Sequence, residues 1–319
     1  MGSSAVMSQL KILSGTANPK LAAALCAHLG IKLGDAYVGR FPDGELDVKV
    51  RDDVRGADVF ILQPTCNPQN ETLMELLMLI DSVKRASAQR VTAVMPYYGY
   101  ARKDRKDEGR VPITAKLVAN MIVTAGADRV LAMDLHAPQI QGFFDIPVDH
   151  LYAKPVFLRH IAETKLSNLV CASPDIGSMK MAIGYARALN TTVAACHKQR
   201  IDGAHVRITA VVGDVRGKNV LMVDDLIASG GSLVTASQYL KEAGAGDIYV
   251  CATHPVMCGD AFDALDAAPI KEVMVTDTIP MPAAGVPDKI TVVSVSAFLA
   301  EAIKRIHMDM SVSHLFKEV

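Results

Sequence analysis

Four landmarks recur in the same order in the two halves of the chain. Ser14-Gly15-Thr16 follows the apolar run KIL, and Ser173-Pro174-Asp175 follows LVCA. Arg55-Gly56 precedes VFIL, as Arg216-Gly217 precedes VLMV. Pro96 closes VTAVM and Pro255 closes YVCATH, while Asp134 and Asp277 end RVLAM and EVMVT. The first three pairs keep nearly one spacing, and the fourth is shorter. Between these landmarks, runs rich in Val, Ile and Ala alternate with helix-period segments, which predicts α/β organisation with a mostly parallel sheet. The expectation is therefore two copies of one α/β domain, residues 8–150 and 151–319. A length of 319 residues and a 50% apolar composition give each copy a core of its own.

Residues 220–232, VLMVDDLIASGGS, are the most informative stretch of the second copy. An apolar run ends in Asp224 and Asp225. The small-residue loop Ala228-Ser229-Gly230-Gly231-Ser232 follows, and then a helical pattern closed by Gly244 and Gly246. Glycines let backbone approach an anion, and a helix N-terminus supplies amide donors and partial positive charge. The carboxylates can accept hydrogen bonds from sugar hydroxyls. A phosphorylated sugar is the expected ligand, against an ordinary turn capped by Ser232. At the matching place the first copy has LQPTCNPQN, with no acidic pair and no glycine. By this reading its sugar-phosphate site is gone. The apolar segment ETLMELLMLI that follows (residues 71–80) is expected as a core or interface helix.

Other stretches are too polar for scaffold. Phe41-Pro42-Asp43-Gly44-Glu45 is a turn that sets an aromatic ring beside two carboxylates, suited to a base and its sugar. Tyr97, Tyr98 and Tyr100 precede the basic cluster Arg102, Lys103, Arg105 and Lys106, right after a predicted strand, where open α/β sheets place ligands. Arginine forks suit polyphosphate. Asp134-Leu135-His136 follows another strand, and Asp134 and His136 share a face if that strand runs through them. A magnesium site of one His, carboxylates and substrate phosphates is an option there. Asp175 sits in a strand-to-helix turn. Lys198 and Arg200, two residues apart before Gly203, suit an arm closing over transferring phosphates.

A net charge of −1 offers no general attraction to nucleic acid or anionic membrane, and a single Tyr/Arg cluster is a weak case for RNA. Cys26, Cys66, Cys171, Cys196, Cys251 and Cys258 show no CxxC or zinc spacing. With no bilayer-length apolar run and no signal-peptide pattern, a cytoplasmic protein with reduced thiols is expected.

FPDGE, PYYGYARKDRK, DLHAPQIQGFFDIPVDHL, ASPDIG, HKQR, VDDLIASGGS and SVSHLF together resemble the ribose-phosphate diphosphokinase family, over nearly the whole chain. The resemblance implies two tandem type I phosphoribosyltransferase-like domains. It implies transfer of the diphosphoryl group of ATP to the anomeric hydroxyl of ribose 5-phosphate, giving phosphoribosyl diphosphate and AMP. It assigns Phe41, Asp43, Gly44, Glu45, Arg102 and Lys103 to ATP and His136 and Asp175 to Mg²⁺. Lys198 and Arg200 match the catalytic-loop cations. Asp224 and Asp225 hold the ribose, directly or through a second Mg²⁺, and residues 228–232 cradle its phosphate. A homo-oligomer, typically a hexamer, with phosphate and ADP as allosteric ligands also follows from the family. The chain departs from the family pattern at Lys103, Gly177-Ser178, Met181, Ala228, Ser229 and Ser232. Two alternatives are a regulatory homologue without activity and a base-salvage phosphoribosyltransferase.

Overall fold

The computed structural model describes residues 9–175, 177–200 and 206–316, with side chains outside 197–210. The chain divides into two units. One holds the residues through Tyr152 together with the closing segment from Ser296, and the other runs Ala153–Val295.

In the first unit the order is β1 (Leu10–Ser14), α1 (Pro19–Leu29), β2 (Ala36–Arg40), β3 (Leu46–Val50), β4 (Asp58–Leu62), α2 (Gln69–Arg85), β5 (Arg90–Met95), α3 (Thr114–Ala125), β6 (Arg129–Met133) and β7 (Val148–Leu151). A parallel sheet runs β1-β4-β5-β6-β7, and β2 and β3 form a separate antiparallel hairpin. Every residue of β4 is buried, as expected for a central parallel strand covered on both faces. The start of α1 is set locally: Asn18 accepts from the Leu21 amide at 3.2 Å and Pro19 opens the first turn. Helix α2 buries Leu73, Leu76, Leu79, Ile80 and Val83 against the sheet, so the apolar segment 71–80 is a core helix.

The second unit continues with α4 (Lys154–Thr164), β8 (Leu169–Ser173), α5 (Met179–Ala188), β9 (Val193–Arg200), β10 (Val206–Val212), β11 (Asn219–Ile227), α6 (Gly231–Glu242), β12 (Ile248–Pro255), α7 (Ala261–Ala267), β13 (Glu272–Thr276) and β14 (Ile290–Val293). Its sheet order is β10-β9-β8-β11-β12-β13-β14. Without the hairpin, β8-β11-β12-β13-β14 repeats β1-β4-β5-β6-β7, and all of these pairs are parallel. The duplication expected from sequence is thus a duplication of topology. The β9–β10 hairpin stands where β2–β3 stands in the first copy, but joins the main sheet through β8.

The closing helix α8 (Ser296–His307) departs from the expected division. Residues 151–319 were expected to stay together, yet α8 packs on α1 of the first unit. Helix α4, which follows the last strand of the first copy, packs on α5 of the second unit. The copies have exchanged their closing helices. The physical reason is visible at both surfaces of α8. Leu299, Ala300, Ile303 and Ile306 are buried, and the helix C-terminus docks on a buried charge. Asp58, 1% exposed, receives Arg90 Nε at 2.8 Å and Nη2 at 2.5 Å, with His307 Nδ1 at 2.8 Å. Arg90 Nη2 also donates to the Ile306 carbonyl at 3.0 Å, matching a cation to a helix C-terminus.

Candidate active site

In the second unit, β11 carries Asp224 and Asp225 before it ends at Ile227, and Asp224 lies in register with Ala252 of β12. The chain then turns through Ala228, Ser229 and Gly230 into α6. Gly230 has φ +75°, a left-handed geometry that costs other residues roughly 1–2 kcal/mol, and a Cβ there would meet Leu265 Cγ at 3.3 Å. It is the N-cap of α6. Ser232, the cap in the alternative reading of an ordinary turn, lies inside the first turn, because the left-handed step is taken two residues earlier. The loop is braced from below: the Met257 amide donates to Ile227 O and the Cys258 amide to Ala228 O, both at 3.0 Å. Ser229, Gly231 and Ser232 stay exposed at the N-terminus of a 12-residue helix, whose free amides suit an anion.

Asp175 follows β8, the neighbour of β11. Its Oδ1 accepts the Gly177 amide at 2.9 Å and the Ser178 amide at 3.4 Å. The Ser178 hydroxyl donates to Asp224 Oδ1 at 2.6 Å, and the Asp225 amide reaches the same oxygen at 3.0 Å. Burial pushes the Asp224 carboxyl up to about 7 against the pull of the Ser178 hydroxyl, and the carboxylates of Asp225 and Asp175 push it the same way. The carboxylates of Asp175 and Asp225 thus act on Asp224 where the neighbouring strands β8 and β11 end. This all-oxygen donor set suits a hard divalent cation. Among the described residues no three His, Cys, Asp or Glu side chains converge to hold a metal on their own. Met181 is half-buried and Lys180 beside it is exposed.

Lys198 and Arg200 lie on β9, whose register pairs Lys198 with Ile208 and Arg200 with Val206. Their side chains and residues 201–205, including the expected arm, lie outside what is described. The equivalent hairpin of the first unit pairs Arg40 with Leu46, so its tip is Phe41–Glu45. The stretch expected to bind ATP and the stretch expected to stabilise transfer therefore occupy one place in the repeat.

That first-unit tip is well defined. Phe41 N donates to Glu45 O at 2.9 Å, Gly44 N to Phe41 O at 2.9 Å and Glu45 N to Asp43 Oδ1 at 3.2 Å. Arg40 Nη1 donates to Gly44 O at 2.7 Å, and the same guanidinium pairs with Glu71 of α2. Asp43 and Glu45 are exposed and Phe41 is 50% exposed, so the ring is presented to solvent rather than packed. The tyrosine stretch is bolted down: Tyr98 Oη donates to Ala115 O at 2.8 Å and Gly99 N to Thr65 Oγ1 at 2.7 Å. A Cβ on Gly99 would collide with the Thr65 carbonyl. Arg102 is exposed, and Lys103 pairs with Asp107 at 3.0 Å.

His136 is exposed at the end of β6, while Asp134 is buried. The shared face expected for them does not form. β6 ends at Met133, and Asp134 turns with φ +37°. Beneath the turn, the Leu135 amide donates to His150 Nε2 at 2.9 Å, so this nitrogen is an acceptor. His136 belongs to the first unit and Asp175 to the second.

One feature of the first unit escaped sequence reading. Register and strand order make Thr16 and Gln63 the counterparts of Asp175 and Asp224. Glu75 of α2, 5% exposed, reaches both. It accepts from Thr16 N at 2.9 Å, Thr16 Oγ1 at 2.7 Å and Gln63 Nε2 at 2.7 Å. Donors thus replace the acids at the strand ends, and the helix supplies the acid. In the first unit these strand ends are tied to each other through the Glu75 carboxylate. Glu75 looks like one more polar position of an apolar helix, and only the Thr16 and Gln63 counterparts in the repeat could have marked it.

A sequence profile for the N-terminal domain of ribose phosphate pyrophosphokinase matches residues 10–126, and one for the phosphoribosyl synthetase-associated domain matches 206–317. The ribose-phosphate pyrophosphokinase of Rhodopirellula baltica is 53% identical over 98% of this chain and all of its own. That of Caldanaerobacter subterraneus is 52% identical over 96% of this chain and 98% of its own. The crystal structure of phosphoribosylpyrophosphate synthetase from Mycobacterium smegmatis superposes with a TM-score of 0.89 at 39% identity, covering 95% of this chain and all of that one. Repeat, strand-end carboxylates and full-length similarity agree: this chain belongs to the ribose-phosphate pyrophosphokinase family.

Proposed function

We infer that the chain carries out its family's reaction with the roles divided between its two repeats as follows. ATP and ribose 5-phosphate react to give phosphoribosyl diphosphate and AMP. The anomeric oxygen of the sugar bonds to the β-phosphorus while the bond from that phosphorus to the α-phosphate oxygen breaks. The diphosphoryl group moves as one piece, so the protein's task is positioning and charge neutralisation.

The observation that carries this assignment is the C-terminal end of β11, the middle strand of the second sheet, where Asp224 and Asp225 stand before a loop turned by Gly230 into the N-terminus of α6. The amides and hydroxyls of residues 228–232 hold the 5-phosphate. Asp224 and Asp225 accept from the ribose hydroxyls and so orient the anomeric oxygen. Phe41 and Arg102 offer planar faces to the adenine, with Asp43, Gly44, Glu45 and Lys103 beside them. Lys198 and Arg200 neutralise charge on the transferring phosphates. His136 and Asp175 are assigned to Mg²⁺, which neutralises the polyphosphate and serves as a template when bound. The crowding of Asp175, Asp224 and Asp225 supports a divalent cation at these strand ends. A homo-oligomer, hexameric by family resemblance, with phosphate and ADP as effectors, and a cytoplasmic location complete the reading. No helix among the described residues is long and apolar enough to cross a membrane.

The test is a coupled assay with ATP, ribose 5-phosphate and Mg²⁺ that follows AMP and phosphoribosyl diphosphate together. Equal formation of both, lost in Lys198→Ala, is expected. A protein that forms neither product, with or without added phosphate, is instead a regulatory homologue.

A further inference from the structure

We propose that Ser178 is a positioning residue for ribose 5-phosphate, its hydroxyl aiming the Asp224 carboxylate at the sugar. Ser178 is the N-cap residue of α5, where a serine side chain ordinarily accepts from an amide two or three residues on. Here it makes no such bond. The hydroxyl instead crosses from the turn after β8 to β11 and donates to Asp224 Oδ1 at 2.6 Å, in the short range of charge-assisted bonds.

The Asp225 amide ends on the same oxygen at 3.0 Å. Two donors on Oδ1 hold the rotation of the carboxylate and leave Oδ2 as the oxygen assigned to the sugar. The same residue serves the neighbouring acid as well, since its amide lies 3.4 Å from Asp175 Oδ1. Gly177 and Ser178 thus set the spacing between two carboxylates that repel each other. Glycine or alanine at 178 keeps the amide contact and loses the hydroxyl. Asp224 is then free to swing away from Asp175 and Asp225, and the ribose loses an aligned acceptor.

The proposal rests on the reading that Asp224 binds the ribose, so both are tested together. Ser178→Ala, Ser178→Gly, Ser178→Thr and Asp224→Asn are assayed for kcat and for KM of each substrate, with melting curves to confirm folding. Loss of one charge-assisted bond predicts a KM for ribose 5-phosphate raised about tenfold in Ser178→Ala and Ser178→Gly, with KM for ATP within about twofold. Ser178→Thr, which keeps a hydroxyl, restores most of the loss. If Asp224→Asn raises KM for ribose 5-phosphate while Ser178→Ala and Ser178→Gly leave it unchanged, the positioning role is wrong and the ribose site stands. If Asp224→Asn leaves it unchanged, the ribose reading itself fails. A change in kcat alone, or equal changes in both KM values, also overturns the proposal.

Discussion

Glu75 offers the sharpest test of the idea that one repeat ties its strand ends together with its own helix. Glu75→Ala removes the acceptor for three donors: the Thr16 amide, the Thr16 hydroxyl and the Gln63 amide group, all at 2.7–2.9 Å. Gln63 is fully buried, so water does not readily take over its bond. Hydrogen bonds to a charged group contribute about 1.5–3 kcal/mol each, but those on one carboxylate are not additive, and donors left behind in the interior add a desolvation cost. A loss on the order of 3–5 kcal/mol is expected from the unsatisfied donors together. Glu75→Gln keeps one oxygen and should cost about 1–2 kcal/mol. Urea unfolding at fixed protein concentration measures both. KM for ribose 5-phosphate should not move in either variant, because Glu75 lies in the other unit from Asp224. A Glu75→Ala protein within about 0.5 kcal/mol of the parent, the range of neutral surface changes, would refute the reasoning.

Further outcomes can be checked singly. Asp58→Ala leaves Arg90 partly buried beside the end of α8, so about 3–5 kcal/mol of stability should go, with faster amide exchange in residues 296–307; unchanged exchange there would contradict the docking role. Gly230→Ala should raise KM for ribose 5-phosphate and cost roughly 1–2 kcal/mol, the price of a left-handed alanine; an unaltered KM would separate the loop from phosphate binding. Asp224 makes the ligand-free protein sensitive to pH. Its carboxyl titrates near 7 when folded and in the ordinary carboxylate range when unfolded, so the unfolded chain binds fewer protons between those values. Its contribution to stability is complete below pH 4 and is lost as pH rises to about 7. Melting curves in chelator should show that decline, and Asp224→Asn should flatten it.

Much of the architecture was legible because parallel strands are buried on both faces and announce themselves as Val/Ile/Ala runs, such as residues 220–223 and 58–62. The turn landmarks then set their order, while the two hairpins, β2–β3 and β9–β10, came only with the structure. What was illegible depended on partners distant in sequence. Nothing local in α8 says that Ile306 and His307 will meet Arg90 and Asp58 rather than the adjacent unit. The strand grammar of RVLAM suggested continuation through His136, whereas the amide of Leu135 bonds to His150 and the chain turns at Asp134. Ser178 stood out only as a departure from a family pattern; its geometry gives it a partner, Asp224, 46 positions away. Glu75 was hidden because a buried acid that bonds two strand ends breaks none of the apolar period of its helix.

The most direct measurement of the central claim is the stoichiometry of ribose 5-phosphate binding by calorimetry, on the parent protein, Asp224→Asn with Asp225→Asn, and Glu75→Gln. One sugar phosphate per chain, lost in the double variant and kept in Glu75→Gln, is the expected result. Two per chain, or one that survives loss of both aspartates, would place the ligand outside the second repeat and contradict the account.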